Sequence, residues 1–170
     1  MRTGSRLLRC GTTLLVILFS GTLPLALAQS PPPAKVNASL KRVFGDVARV
    51  DSLLVDASVV LRIWRADSLL GFASVRNVRG KDQPITYLVA AGPDLRLLDV
   101  DILVYREAYG GEVAYEAWRK QFRGRGPENP LEVGRDIRSI SGATISVNAV
   151  TLGVRRALAD LAEWRKQGRL

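Results

Sequence analysis

Between positions 57 and 105 the apolar residues come in short runs separated by polar or glycine-bearing turns, the spacing of strands rather than helices. Residues 57–66, rich in Val, Leu and Ile, predict one strand. Residues 69–78 form its hairpin partner across Asp67-Ser68. A turn at Gly80-Lys81-Asp82 leads to a third strand over 84–91, and Gly92-Pro93-Asp94 leads to a fourth over 95–105. Strands joined by such short turns imply an antiparallel sheet. Beyond position 140 the period changes. Val147, Val150, Val154, Leu158, Leu161 and Trp164 recur at spacings of three and four, an amphipathic helix that packs on the sheet. A second helical run, 112–122, carries Val113, Trp118 and Phe122. A third, short one is capped by Asn37 or Ser39 and sets Leu40, Val43, Phe44 and Val47 on one face. The fold class read from this pattern is α+β: a curved antiparallel sheet of four or more strands, helices packed on one side, one domain over 38–170.

The first 28 residues follow another pattern. Arg2, Arg6 and Arg9 precede an uncharged apolar stretch over 12–23, and Ala26-Leu27-Ala28 makes a small-x-small site ahead of Gln29. This is the layout of a secretory signal peptide. Its apolar core is short against the roughly 20 residues of a bilayer span, which favours cleavage over retention as an anchor. Cys10 precedes the apolar core, the wrong place for a lipid-bearing cysteine. Residues 29–37, with Ser30-Pro31-Pro32-Pro33, read as a proline-rich spacer. The expected location is therefore the periplasm or the outer face of the cytoplasmic membrane.

Cleavage after Ala28 leaves 142 of 170 residues, and the three arginines it removes lower the formal net charge from +9 to +6. The remaining arginines are spread along the chain, and export excludes nucleic acid as a natural partner. They read as solvated surface, with attraction to an anionic membrane surface or an acidic partner. Absent residue types narrow the chemistry further. The sequence has no histidine, and its single cysteine is Cys10. The mature chain thus lacks a thiolate nucleophile, an imidazole base and the usual ligands of zinc, haem and iron–sulfur centres, so no metal site is expected. Redox chemistry, if present, must be carried by an organic cofactor. Carboxylates such as Glu107 and Glu112 sit beside glycines in loops, with no arrangement that sets their pKa values apart for hydrolysis.

The richest chemical signal is Ser141-Gly142-Ala143-Thr144, followed by Ile145-Ser146 and the long amphipathic run. Two hydroxyls and a glycine stand at a helix start, where unsatisfied N–H groups and the helix dipole suit an anion, above all a phosphate. The same residues also serve as an ordinary helix cap. No Walker loop or dinucleotide fingerprint is present.

The longer string Asp136-Ile137-Arg138-Ser139-Ile140-Ser141-Gly142-Ala143-Thr144-Ile145-Ser146 resembles the signature of the bacterial FMN-binding domain. That family includes the flavin-bearing periplasmic subunits of sodium-pumping NADH:quinone reductase and of Rnf complexes. Leu70-Gly71-Phe72-Ala73, Gly80-Lys81, Tyr105-Arg106-Glu107 ahead of Gly110-Gly111, and Gln121-Phe122 follow the family's landmarks in order. The resemblance runs from about residue 40 to about residue 161. It implies FMN as cofactor, held as a phosphoester to Thr144, with Ser141 and Ser146 as hydroxyl donors and Gly142, Ala143 and Ile145 supplying the helix start. A separate flavin transferase using FAD and magnesium would make the bond, since a threonine hydroxyl needs activation and this chain has no histidine. The resemblance also implies that the loop with Glu107, Gly110 and Gly111 approaches the ring or ribityl chain. Tyr109 and Trp118 are candidate ring neighbours, Trp118 equally a core residue.

One position departs from the family pattern. Transferase recognition favours an acidic residue six positions ahead of the threonine, and Arg138 stands there, with Asp136 two residues further upstream. Arg138 then pairs with the flavin phosphate without a covalent bond, or the transferase tolerates the change. The expected function is electron transfer by an exported one-domain flavoprotein working with a membrane or periplasmic redox partner. The alternative is a binding module of the same fold that has lost flavin and takes a phosphorylated or envelope ligand.

Overall fold

The computed structural model describes residues 31–47 and 49–170. The leader and cleavage site read from residues 1–28 lie outside the described residues. Five strands form one antiparallel sheet in sequence order: β1 (Arg49–Val55), β2 (Ser58–Arg65), β3 (Ser68–Arg79), β4 (Pro84–Ala91) and β5 (Leu97–Val104). Helix α1 (Pro33–Phe44) precedes the sheet. After it come a 3₁₀ turn over Gly111–Ala114, the single-turn helix α2 (Glu116–Arg119), a further 3₁₀ turn over Lys120–Phe122, and the long helix α3 (Thr144–Lys166).

The strand read over 84–91 is β4, and the other three run within a few residues of their expected limits. The sheet gains one strand at its edge, β1, paired with β2 from Arg49↔Trp64 to Val55↔Ser58. Its apolar residues do not alternate cleanly and Leu54 is exposed, so the period-two signal is weak there. Along β4 every residue from Ile85 onward is buried. Ile85, Tyr87 and Val89 pack with Val147, Val150 and Val154 of α3. Leu88 and Ala90, on the other face, pack with Leu40 and Phe44 of α1. Helices thus cover both faces of the sheet: α1 adds a layer opposite α3, where helices on one side were expected. A strand buried on both faces reads as a continuous apolar run, which is what 84–91 shows.

Helix α1 begins at Pro33, which occupies the first helical turn, and no side chain caps it. Proline is suited to that position because its missing N–H has no partner there anyway. Asn37 and Ser39, expected as caps, lie inside the helix. Ser39 is buried and its hydroxyl donates to Asp101 on β5 instead. Arg42 adds contacts to Asp99 at 3.0 Å and Asp101 at 2.9 Å, and Lys35 Nζ donates to the Leu103 carbonyl. Arg119 reaches the same two aspartates from α2. Asp101 has its carboxyl held below the usual range: desolvation works against ionisation, and the bonds from Ser39 and Arg42 outweigh it. This charged cluster fixes α1 and the 111–122 segment against β5. That segment is not the continuous helix expected over 112–122. Its apolar anchors, Val113, Trp118 and Phe122, are spaced five and four apart, and each sits in the core of a separate short turn.

Candidate functional site

The turn between β3 and β4, the loop after β5 and the first turn of α3 meet at one end of the sheet. They enclose a cavity of about 470 Å³ lined by Lys81, Asp82, Glu107, Ala108, Tyr109, Gly142, Ala143, Thr144, Ile145 and Ser146. That volume falls within the range of small-molecule sites. Gly142 holds φ +80, a left-handed conformation that glycine adopts without strain, and it turns the chain into the helix. Ala143 is the N-cap, and no side chain caps the helix. Its first intrahelical bond runs from Val147 N–H to the Ala143 carbonyl, so the amides of the first turn, at residues that line the cavity, have no helical partners. Thr144 is the first helical residue and is exposed, as is Ile145. Ser141 is exposed as well but lies outside the cavity lining.

Ser146 is buried, and its hydroxyl shares a 2.8 Å hydrogen bond with Tyr105 Oη. The same phenol donates to the carbonyl of Tyr109. Tyr105 therefore pins the loop after β5 to the first turn of α3. Gly110 lies beneath this clamp at φ +87, where an added Cβ would sit 2.8 Å from Tyr105 Oη and 3.1 Å from Ser146 Oγ. Ser146 thus positions the helix start through Tyr105. Tyr109 is 85 % exposed and belongs to the cavity lining.

Glu107 accepts hydrogen bonds from the backbone N–H of Asp82 at 2.8 Å and Gln83 at 3.0 Å. These bonds, the one from Gln83 foremost, hold its carboxyl below the ordinary range, with Lys81 adding to the effect. Its role is to fasten the β3–β4 turn, and this sets Lys81 in the lining of the cavity that Thr144 shares. Gly111 lines a connecting hollow of about 410 Å³ that shares Glu107, Tyr109 and Gly142 with the first cavity.

Arg138 is placed elsewhere. It lines a separate cleft of about 800 Å³ with Trp118, Gln121, Arg125 and Arg135, and does not line the Thr144 cavity. Trp118 is buried, in edge contact with Phe122, and donates its indole N–H to the Arg138 carbonyl. The core role weighed for Trp118 is the one the packing gives it. Asp136 accepts from the Glu132 N–H within its own turn. The larger cleft thus lies beside the chemistry of the motif, and the smaller cavity holds the hydroxyl, the free amides and the lysine.

Lys81 and Tyr105 complete the site although neither belongs to the motif. The signal was available in the Gly80-Lys81 and Tyr105-Arg106-Glu107 landmarks, but only the sheet topology shows that they converge on Thr144. The donor set, an ammonium plus a helix start without a side-chain cap, fits a phosphate. An open cavity leading from it suits a larger body attached to that phosphate. Among the described residues no group of acidic, histidine or cysteine side chains is arranged to hold a metal ion.

No curated protein matches the chain. Residues 80–159 match the family model of the FMN-binding domain, a span that contains every residue of the Thr144 cavity. The matched region is similar to the FMN-binding domain family and supports FMN as the cofactor.

Proposed function

We propose that this protein is an exported electron-transfer flavoprotein whose FMN is attached through its phosphate to Thr144. The observation that carries the proposal is the exposed Thr144 hydroxyl at a helix start without a side-chain cap, inside a cavity that also holds Lys81. A phosphodiester at that oxygen bears one negative charge, which the first-turn amides and the Lys81 ammonium offset.

Formation of the bond requires removal of the threonine proton. The sequence has no histidine, and the nearby carboxylate of Glu107 is taken up by backbone amides. Attachment is accordingly the work of a separate flavin transferase. The threonine oxygen bonds to the FMN phosphorus of FAD, the pyrophosphate bond breaks, AMP leaves, and the proton passes to a base of that enzyme. FMN supplies the redox chemistry when bound. The chain's own part is to hold the phosphate, to fix the loop carrying Tyr109 through Tyr105, and to shape the space the ring occupies. Electrons come from and go to a membrane or periplasmic partner, and the leader over residues 1–28 directs the chain there.

The test is co-production with a flavin transferase followed by acid precipitation. Flavin that stays with the denatured polypeptide, and is lost in Thr144→Ala, supports attachment. Flavin released to the supernatant from the wild-type chain overturns it. Reversible bleaching of the bound flavin by dithionite and air, with reduction by no added nicotinamide, is the expected redox behaviour. A chain that stays colourless when co-produced with the transferase, and also takes up no added FMN, would overturn the electron-transfer role.

A further inference from the structure

The cleft beside the FMN site has a built character of its own. Three hydrogen bonds close a ring across it: Gln121 Nε2 donates to the Trp118 carbonyl at 2.9 Å, Arg138 N–H donates to Gln121 Oε1 at 2.9 Å, and Trp118 Nε1 donates to the Arg138 carbonyl at 2.8 Å. This ring ties the 116–122 segment to the irregular stretch ahead of the motif. The two walls are therefore preorganised rather than brought together by a ligand.

Charge on these walls is one-sided. Lys120, Arg125, Arg135 and Arg138 line the cleft against Glu112 and Asp136. Asp136 accepts from a backbone amide, and Arg135 has a partner in Glu132 at 3.3 Å. Lys120, Arg125 and Arg138 have no carboxylate within ion-pair distance among the described residues. Ala117, Trp118 and Ile140 line the same cleft, so apolar surface stands beside the cations, with the arginine stems extending it.

We propose that this cleft binds a small organic anion with a flat apolar body, alongside the bound flavin and at a site distinct from the one that holds the flavin phosphate. The apolar lining of Ala117, Trp118 and Ile140 takes the planar part, and Arg125 and Arg138 take its carboxylate or other anionic group by charge-assisted hydrogen bonds. One hollow, which shares Glu112 and Tyr115 with the cleft and Glu107, Tyr109 and Gly142 with the flavin cavity, connects the two, so the bound anion lies next to the cofactor. Arg138, the departure from the family motif, is thereby a ligand-binding residue.

Calorimetric titration of the flavin-loaded protein with naphthoate tests this, with uncharged naphthalenemethanol as control. Naphthoate is expected to bind with one site, naphthalenemethanol about tenfold or more weaker, and the affinity to fall as salt rises. Arg125→Gln with Arg138→Gln, compared with the wild type at equal flavin occupancy, should lower naphthoate affinity roughly tenfold, while thermal unfolding stays as in the wild type. Equal binding of both probes, or binding unchanged in the double variant, overturns the proposal. So does binding seen only in flavin-free Thr144→Ala, which would make the cleft the seat of the flavin ring. Failure of the flavin to attach reads out separately as a colourless protein.

Discussion

Replacement of Gly110 by alanine separates two costs that the site structure keeps distinct. The residue holds φ +87, and its Cβ would lie 2.8 Å from Tyr105 Oη, 3.1 Å from Ser146 Oγ and 3.3 Å from Ala143 Cα. The left-handed backbone costs about 1 kcal/mol for alanine. Relieving the clash requires the tyrosine to retreat, which costs roughly 1–2 kcal/mol of strain and overpacking, and it breaks the Tyr105–Ser146 hydrogen bond, worth about 1 kcal/mol. The sum for Gly110→Ala is about 3–4 kcal/mol. Gly142 is the internal control. It holds φ +80 with nothing within 4 Å of the added Cβ, so Gly142→Ala should cost only the backbone term, about 1 kcal/mol. Urea unfolding of both variants, followed by tryptophan fluorescence, measures the difference. Equal destabilisation of the two, or a cost below about 1 kcal/mol at Gly110, would refute the clamp as the feature that holds this loop.

Three further outcomes follow from the same geometry. Tyr105→Phe should lose about 1–2 kcal/mol of stability and load flavin more slowly under limiting transferase, since the loop is no longer bonded to the helix start; unchanged loading kinetics would count against the role. Glu107 has a folded-state pKa below its ordinary 4.5, so the stability it contributes is complete above that pH and is lost as pH falls through the folded value. Glu107→Gln keeps acceptors for the turn amides, and its unfolding midpoint should therefore converge with that of the wild type on acidification; a constant gap from about pH 7 to about pH 3 contradicts this. Arg119→Met removes a buried guanidinium that contacts Asp99 at 3.2 Å and Asp101 at 3.4 Å. Arg42 remains on Asp99, so a loss of about 3 kcal/mol is expected in thermal or urea unfolding, and a neutral result would show that the cluster reorganises freely.

The central strands were legible because glycine, proline and aspartate mark every turn between residues 66 and 95, and β4 has the continuous apolar run of a strand covered on both faces. What the pattern could not show was context. β1 is an edge strand with Leu54 76 % exposed, so its polar and apolar positions do not sort by face. Ser39 looked like a cap because its real partner, Asp101, lies 62 residues away. Sheet topology likewise decided the helix layers: α1 and α3 take opposite faces of β4, a placement that periodicity within each helix cannot state.

At the site, Thr144, Gly142 and Ala143 were legible as a local motif, since glycine in a left-handed turn ahead of an amphipathic run is a short-range feature. Lys81, brought in by Glu107 across the β3–β4 turn, and Tyr105, bonded to Ser146 across 41 positions, are long-range features. Arg138 is two residues from its motif neighbour Ile140, yet its backbone bonds to Trp118 and Gln121 turn it toward another cleft.

The most direct test of the account is the intact mass of the protein exported from cells that also make a flavin transferase, measured beside Thr144→Ala. The account predicts a chain beginning at Gln29 and heavier by one FMN less one water, with that increment absent from the variant. A wild-type chain of unmodified mass, or an increment that persists in Thr144→Ala, would contradict it.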